Sequence, residues 1–373
     1  MMLGLQFEKQ DVPVVHIPFQ RGLHVCFLSA FRDGVFLAAY PEGYTRQGFA
    51  LPVGYYLAPT DRRIHPISVQ EVDDVRAVVV IGETAWFVGL TDGKTALAGV
   101  GQRDRITVSL PKENEIPDLG MDGQSLLAVY SKTVYRLTDR QWTLVYSGDI
   151  VLPRSELPPQ QYGDVVFMHG IRGQDEPKCL WSLTTTGEEP RLRLFASDVV
   201  LAEPAVWSSP SSRKVHLGMI QPDWRGALSY CVTGNGDLWA CVANGSNLVC
   251  RSKDGSYAIA IAKGSVRFAD DLSDPPQADQ GVSLSAVTAL SDDTLLLAGP
   301  TGLYRLKGNQ LVQELAFSTA SHYWDWRPTH IVPLDDGSYV IACDFYGGVY
   351  WLRQGGDGDW RCLPVDKGGP IVW

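Results

Sequence analysis

Apolar residues along this chain come in runs of four to eight, rich in Val, Ile, Leu, Tyr and Trp, and the runs are separated by clusters of Gly, Asp, Asn and Pro. Little in the sequence reads as a long amphipathic helix, so the pattern predicts short strands joined by turns. Many runs alternate. In the stretch Gly302, Leu303, Tyr304, Arg305, Leu306, Tyr304 and Leu306 point one way and Leu303 and Arg305 the other.

The runs group into a recurring unit. Residues 285–317 read as four strands, at 285–290, 294–298, 303–306 and 310–317, joined by hairpin-length turns. Residues 330–365 repeat the arrangement, and residues 227–262 supply another copy. The turns 335–337 (Asp-Asp-Gly) and 253–255 (Lys-Asp-Gly) carry the glycine that hairpins use for positive φ. Taking a third-strand residue as marker aligns Tyr44, Ala96, Tyr135, Trp181, Val249, Tyr304 and Tyr350. The spacing averages roughly 51 residues, which makes seven units in the chain. The fourth unit takes 149–153 as its first strand and treats the proline-rich stretch 153–162 as a loop. An extra hairpin around 214–220, inside the stretch 201–226, is the alternative that would make eight units.

A four-stranded meander buries too little surface to stand alone. Runs such as Ala77 to Ile81 and Thr294 to Ala298 do not alternate cleanly, which fits sheets covered on both faces. Radial packing of the units satisfies both points, and the fold class expected is all-β: a β-propeller of seven four-stranded blades, with eight as the alternative. A solenoid should have shorter units, and a two-layer sandwich rarely repeats one meander seven times. Residues 1–373 form a single propeller domain on this reading. An N-terminal segment within 3–19, with 12–19 as the candidate strand, closes the ring by pairing with the last unit.

The third strands carry a likeness. Gly302, Leu303, Tyr304, Arg305 and Leu306, and again Gly348, Val349, Tyr350, Trp351 and Leu352, resemble the third strands of bacterial seven-bladed propellers of the two-component-regulator type and, more distantly, Trp-Asp repeats. The Gly-His and Trp-Asp dipeptides at repeat spacing are missing. Ser252, Asp254 and Gly255 look like a sialidase Asp-box short of one residue, and read as a hairpin turn. The resemblance implies a platform for ligands or partners, since fold alone does not give function.

Composition narrows the partners. Lys and Arg number 32 against 42 Asp and Glu, for a formal charge of −10. An acidic chain without a Lys/Arg cluster argues against nucleic acid and anionic membrane as partners. The seven cysteines include no C-x-x-C and no Cys/His pair at zinc spacing. Cys231, Cys241 and Cys250 fall on three neighbouring strands, where a metal or a disulfide is conceivable and buried thiols are the simpler reading. The first residues have neither the basic start nor the continuous apolar stretch of a secretion signal, and a cytoplasmic location is expected.

The sequence contains no nucleophile elbow, phosphate-binding loop, H-E-x-x-H or dinucleotide fingerprint. The histidines are dispersed. Paired carboxylates such as Asp73–Asp74, Asp270–Asp271 and Asp335–Asp336 sit at turns, where Asp caps backbone N–H groups. No catalytic residue, metal ligand or cofactor is therefore assigned. One segment stands out: His322, Tyr323, Trp324, Asp325, Trp326 and Arg327, crowded into the loop joining units six and seven. Trp, Tyr and Arg dominate binding hot spots, although a plug between blades would use the same side chains. Trp224 and Arg225, just before a first strand, form a second and weaker cluster.

Turns after second and fourth strands open on one face of a blade, and the longest connections follow fourth strands, at 201–226, 264–281 and 318–328. The second-to-third turn 169–178 opens on that same face, and 153–162 is the exception. Function concentrates on long loops, so that face is taken as the working surface, and the acidic stretch 269–280 suits a basic partner. The expectation is a non-catalytic protein-binding propeller: a scaffold, a sensor module or a toxin-neutralising, immunity-type partner. An enzyme or small-ligand sensor with an axial site, for example glycan-directed, is the alternative.

Overall fold

The computed structural model describes residues 12–18, 24–40, 53–58, 62–101, 104–171, 179–186, 191–194, 227–242, 248–251, 257–261, 265–269, 284–291, 293–308, 310–319, 327–343 and 348–372. Among them there is no helix. After β1 (Val14–Ile17) the first unit is β2 (His24–Phe31), β3 (Gly34–Tyr40), β4 (Val53–Leu57) and β5 (Arg63–Ser68). The second is β6 (Asp74–Ile81), β7 (Thr84–Thr91), β8 (Lys94–Val100) and β9 (Arg105–Thr107). The third is β10 (Asp118–Asp122), β11 (Ser125–Val129), β12 (Thr133–Thr138) and β13 (Gln141–Ser147). The fourth is β14 (Arg154–Tyr162), β15 (Val165–Ile171), β16 (Cys179–Thr184) and β17 (Arg191–Leu194). The fifth is β18 (Ala227–Val232), β19 (Leu238–Val242), β20 (Leu248–Arg251) and β21 (Tyr257–Ile261), extended by β22 (Ser265–Ala269). The sixth is β23 (Ala286–Ser291), β24 (Thr294–Gly299), β25 (Gly302–Lys307) and β26 (Gln310–Thr319). The seventh is β27 (Pro328–Pro333), β28 (Tyr339–Cys343), β29 (Val349–Gln354) and β30 (Trp360–Pro364), followed by β31 (Asp366–Lys367) and β32 (Ile371–Val372).

Each unit is an antiparallel meander in sequence order. The seven first strands lie side by side in the order of the units, and β2 meets β27 to complete the circle. The chain is a β-propeller, with seven four-stranded units among the described residues. Apolar clusters fill the seams. Phe36 of the first unit, Phe87 of the second and Leu119 of the third share one. Leu37 and Trp351 join units one and seven, Met168 and Leu127 units four and three, Trp239 and Tyr304 units five and six, and Leu296 and Ile341 units six and seven. Burial on both faces explains why β24 is buried at every position.

Five expectations change. The stretch 153–162 is not a loop: Arg154–Tyr162 is the first strand of unit four, and 149–153 lies outside any strand. Pro158 and Pro159 are tolerated because they fall where the pairing with β15 shifts register, between Leu157 and Gln160. They also lie on an inner strand, whose axial edge needs few N–H donors. The end of β14 pairs in parallel with β10, Met121 against Gln160 and Asp122 against Gln161, which fuses units three and four into one eight-stranded sheet. In unit one the third strand is β4, so Tyr44 is not its marker and lies outside the described residues, whereas the other six markers sit in third strands. Part of the 264–281 connection is strand β22. His169 and Gly170, taken as loop, lie within β15.

The fifth change is the outer edge. β1 does not pair with the last unit but adds in parallel to β26 of the sixth, Val14 against Ala316 through Ile17 against Thr319. The C-terminal segment meets the first unit instead: β31 and β32 run parallel to β5. Val365 is buried in the seam between units one and seven, and Gly369 O lies 2.8 Å from His65 Nδ1. The stretch 201–226, where an eighth unit was considered, lies outside the described residues.

Candidate functional site

The topology sorts connections by length. Turns after first and third strands are short throughout, none longer than the six residues between Thr184 and Arg191. On the other face the chain runs from Tyr40 to Val53, from Thr107 to Asp118, from Leu194 to Ala227 and from Ala269 to Ala286. The long-loop face is therefore the one on which every first strand begins.

Those strand starts form the axial mouth. A β-bulge disturbs the pairing near the start of the first strand in units one, two, four, five and seven. Bulges kink a strand and re-aim its side chains. Small residues oppose them: a methyl group at Gly89 would overlap the carbonyl oxygen of Asp74, and one at Gly170 that of Arg154.

Apart from the short β10–β14 pairing, first strands have an edge with no ladder partner, and buried main-chain groups there need other hydrogen bonds. Side chains supply several. The Ser155 N–H donates to Asp118 Oδ2 at 2.7 Å across units three and four. Val232 N–H donates to Gln160 Oε1 at 3.1 Å, and the Tyr230 hydroxyl to Pro158 O at 2.7 Å, across units four and five. Ser229 Oγ accepts from Val287 N at 3.2 Å, and the Ser285 hydroxyl donates to Pro328 O. Side-chain ties thus join neighbouring first strands at the four seams from unit three to unit seven.

Asp118 is the chemically distinctive member of this set. Burial pushes its carboxyl up to about 6, against the opposing influence of the Ser155 N–H and the Arg154 charge. Ser155 Oγ is shielded from solvent and has no hydrogen-bond partner among the described residues. A carboxyl that exchanges its proton near neutrality, beside a guanidinium and a hydroxyl, can bind a cation or move a proton. Nothing in the local pattern singles it out, because an Asp before an apolar run looks like any turn residue until the inner position of its strand is known.

The connection between Thr107 and Asp118 is the best-described part of this face. Lys112 pairs with Glu115 at 3.1 Å and lies over the Tyr130 ring. Burial works against the Glu115 charge, but hydrogen bonds from Ser131 and Lys112 hold its carboxyl below the ordinary value. Trp142 Nε1 donates to Ser109 O at 2.8 Å.

Of the residues singled out from sequence, Arg327 is partly buried, immediately before β27 and so on this face. His322, Tyr323, Trp324, Asp325 and Trp326, with Trp224 and Arg225, lie outside the described residues, as does most of the acidic stretch 269–280. Of the paired carboxylates expected to cap turns, Asp336 does so, accepting from Ser338 N–H at 2.9 Å; Asp74 instead lies in β6 and pairs with Arg76, and Asp270 and Asp271 lie outside the described residues. Asp293, in another turn, accepts from the Ser291 and Thr294 hydroxyls at 2.9 Å. Cys231, Cys241 and Cys362 are free thiols, and burial pushes Cys231 up to about 12. No group of three or more metal-ligating side chains occurs among the described residues.

No protein-family model and no curated protein matches the chain. Solved structures match over nearly its whole length. A streptogramin B lyase is 13% identical, with 95% of this chain and 97% of that one covered and a TM-score of 0.50. YCF48 bound to a D1 peptide is 12% identical, with 94% and 96% covered and a TM-score of 0.50. At this identity the likeness is one of fold, and the fold serves an enzyme in one case and a peptide-bound protein in the other.

Proposed function

We propose that this chain is a non-catalytic, protein-binding propeller that engages its partner through the long-loop face. The observation that carries the reading is the one-sided distribution of connections: every long connection joins strand ends on one face of the ring, and the turns joining strand ends on the other face are short. The binding surface centres on His322, Tyr323, Trp324, Asp325, Trp326 and Arg327, with Trp224 and Arg225 contributing from the connection that enters unit five. Aromatic and arginine side chains on a rigid support make effective anchors, because little entropy is lost on binding. The net charge of −10 and the acidic stretch 269–280 suit a partner with a basic surface. Peptide binding by a protein of the same fold, YCF48, supports the mode of action. Scaffold, sensor module and toxin-neutralising partner all fit. The third strands like those of two-component-regulator propellers favour the sensor context. Free thiols at Cys231, Cys241 and Cys362 suit a reducing compartment, and we propose a cytoplasmic location.

The test is Trp324→Ala combined with Trp326→Ala. Immobilised wild-type protein is expected to retain a specific partner that then binds one-to-one in calorimetry. The double variant, folded by circular dichroism, should bind at least about a hundredfold more weakly, as expected for two hot-spot aromatics. Unchanged affinity would remove the site assignment.

A second reading, an enzyme or small-ligand sensor with an axial site, is favoured by one observation: Asp118 with its raised carboxyl beside Arg154 and Ser155 at the mouth. Turnover that survives purification and is lost in Asp118→Asn would establish it.

A further inference from the structure

The sixth unit is complete without β1. Its four strands, β23 to β26, form the same meander as the other units, and β1 is laid against the finished outer edge. The added strand is parallel to β26, whereas every pairing within a unit is antiparallel. It therefore occupies an acceptor edge.

What holds β1 there is a short, readable pattern. Its burial alternates: Val14 is exposed and Val15 buried, His16 exposed and Ile17 buried. Val15 and Ile17 enter the apolar cluster shared by units six and seven, with Leu303, Leu315, Tyr350 and Leu352 among its members and Trp360 packed against it. β1 also lies against β30, so the slot is bounded by the outer strands of two units. Ala316 N–H donates to Pro13 O at 2.9 Å, which extends the main-chain pairing one residue before the strand. Val14 is 67% exposed and points away from all of this. Recognition thus comes from main-chain hydrogen bonds for affinity and two side-chain sockets, two residues apart, for specificity. That is the physics of strand addition to a sheet edge.

We propose that the slot between β26 and β30 is a strand-acceptor site for an extended segment of a partner protein bearing β-branched apolar side chains at alternate positions, and that residues 13–17 are its resident ligand in cis. The site lies on the periphery of the ring, apart from the long-loop face, and does not depend on how that face is used. The resident strand is held by two sockets and four paired positions. Its advantage over an incoming segment is largely the high effective concentration of a tethered ligand.

The test keeps the full chain and evicts its own strand with Val15→Asp plus Ile17→Asp. The probe is a fluorescein-labelled peptide of the sequence of residues 12–18, read by anisotropy and by thermal melting. The folded double variant is expected to bind the peptide saturably and to regain several degrees in Tm. Wild type should bind it at least about tenfold more weakly, because its own strand competes. The same peptide with Asp at the two socket positions should not bind. A folded double variant that ignores the peptide overturns the proposal. If the double variant does not fold, Val15→Ala plus Ile17→Ala is used with the same criteria, and failure of both to fold overturns the proposal by showing the strand to be part of the core. A cross-link control separates donors. Cys placed at His16 and Ser318, which are direct partners, should give an intrachain disulfide in wild type at all concentrations. A disulfide-linked dimer would assign the slot to a second copy of this chain and overturn the partner assignment.

Discussion

At the residue scale, Asp118 shows how position in a ring changes the chemistry of an ordinary side chain. Its folded carboxyl is pushed up to about 6, above the ordinary 3.8. A raised acid favours the fold while it is protonated. Its contribution is full below the unfolded value and is lost as pH rises through about 6. Near neutrality the charged group costs ~1–3 kcal/mol. Asp118→Asn keeps an acceptor for the Ser155 N–H and removes the charge. The variant is expected to be more stable than wild type by ~1–3 kcal/mol at pH 7.5, with the difference shrinking as pH falls and vanishing by about pH 3, below the unfolded value. Urea unfolding across that range measures it, and a difference independent of pH would refute the assignment. Asp293, Asp336 and Asp357 have carboxyls held low by turn hydrogen bonds. Their contributions run in the opposite direction, which is why the comparison must be between variant and wild type at each pH. Asp336 was legible, because an Asp beside a Gly in a hairpin turn has one common use. Asp118 was illegible, since its role depends on Arg154 and Ser155, 36 and 37 residues further along.

At the element scale, six of the seven third strands were legible from apolar runs and turn residues, and unit six was legible almost to the residue. β14 was not. Its prolines and glutamines look like a loop, and only the inner-edge position with its register shift makes such a strand acceptable. The same pairing depends on Gly170, opposite Ser155 beside the bulge. Gly170→Ala forces a methyl group into the Arg154 carbonyl and is expected to cost ~2–4 kcal/mol, the range of severe overpacking. Gly163→Ala, at a hairpin position with φ of 57° and open space around it, should cost only about 1 kcal/mol for left-handed backbone. Urea midpoints of the two variants compare steric and conformational penalties within one unit. Equal losses would mean that the bulge does not constrain position 170.

At the scale of the whole molecule, closure rests on packing across the seams and on two terminal segments that flank unit seven, β1 along the seam with unit six and residues 365–372 along the seam with unit one. Val365→Asp places a carboxylate in the apolar cluster joining units one and seven. It is expected to cost ~3–5 kcal/mol, as for an unpaired buried charge, and to lower Tm by several degrees in a single transition. A variant that melts as wild type does would show that this seam does not need the C-terminal segment. Periodic apolar runs, turn glycines and an unbroken lack of helical spacing were enough to determine repeated meanders with two buried faces, and hence a radial assembly, because local strand and turn preferences are written in neighbouring residues. Which edge each terminal segment covers, which strands fuse across a seam and which carboxyl loses its solvent were decided by the tertiary structure alone. Those features arise from contacts between residues far apart in the chain, and no local pattern encodes them.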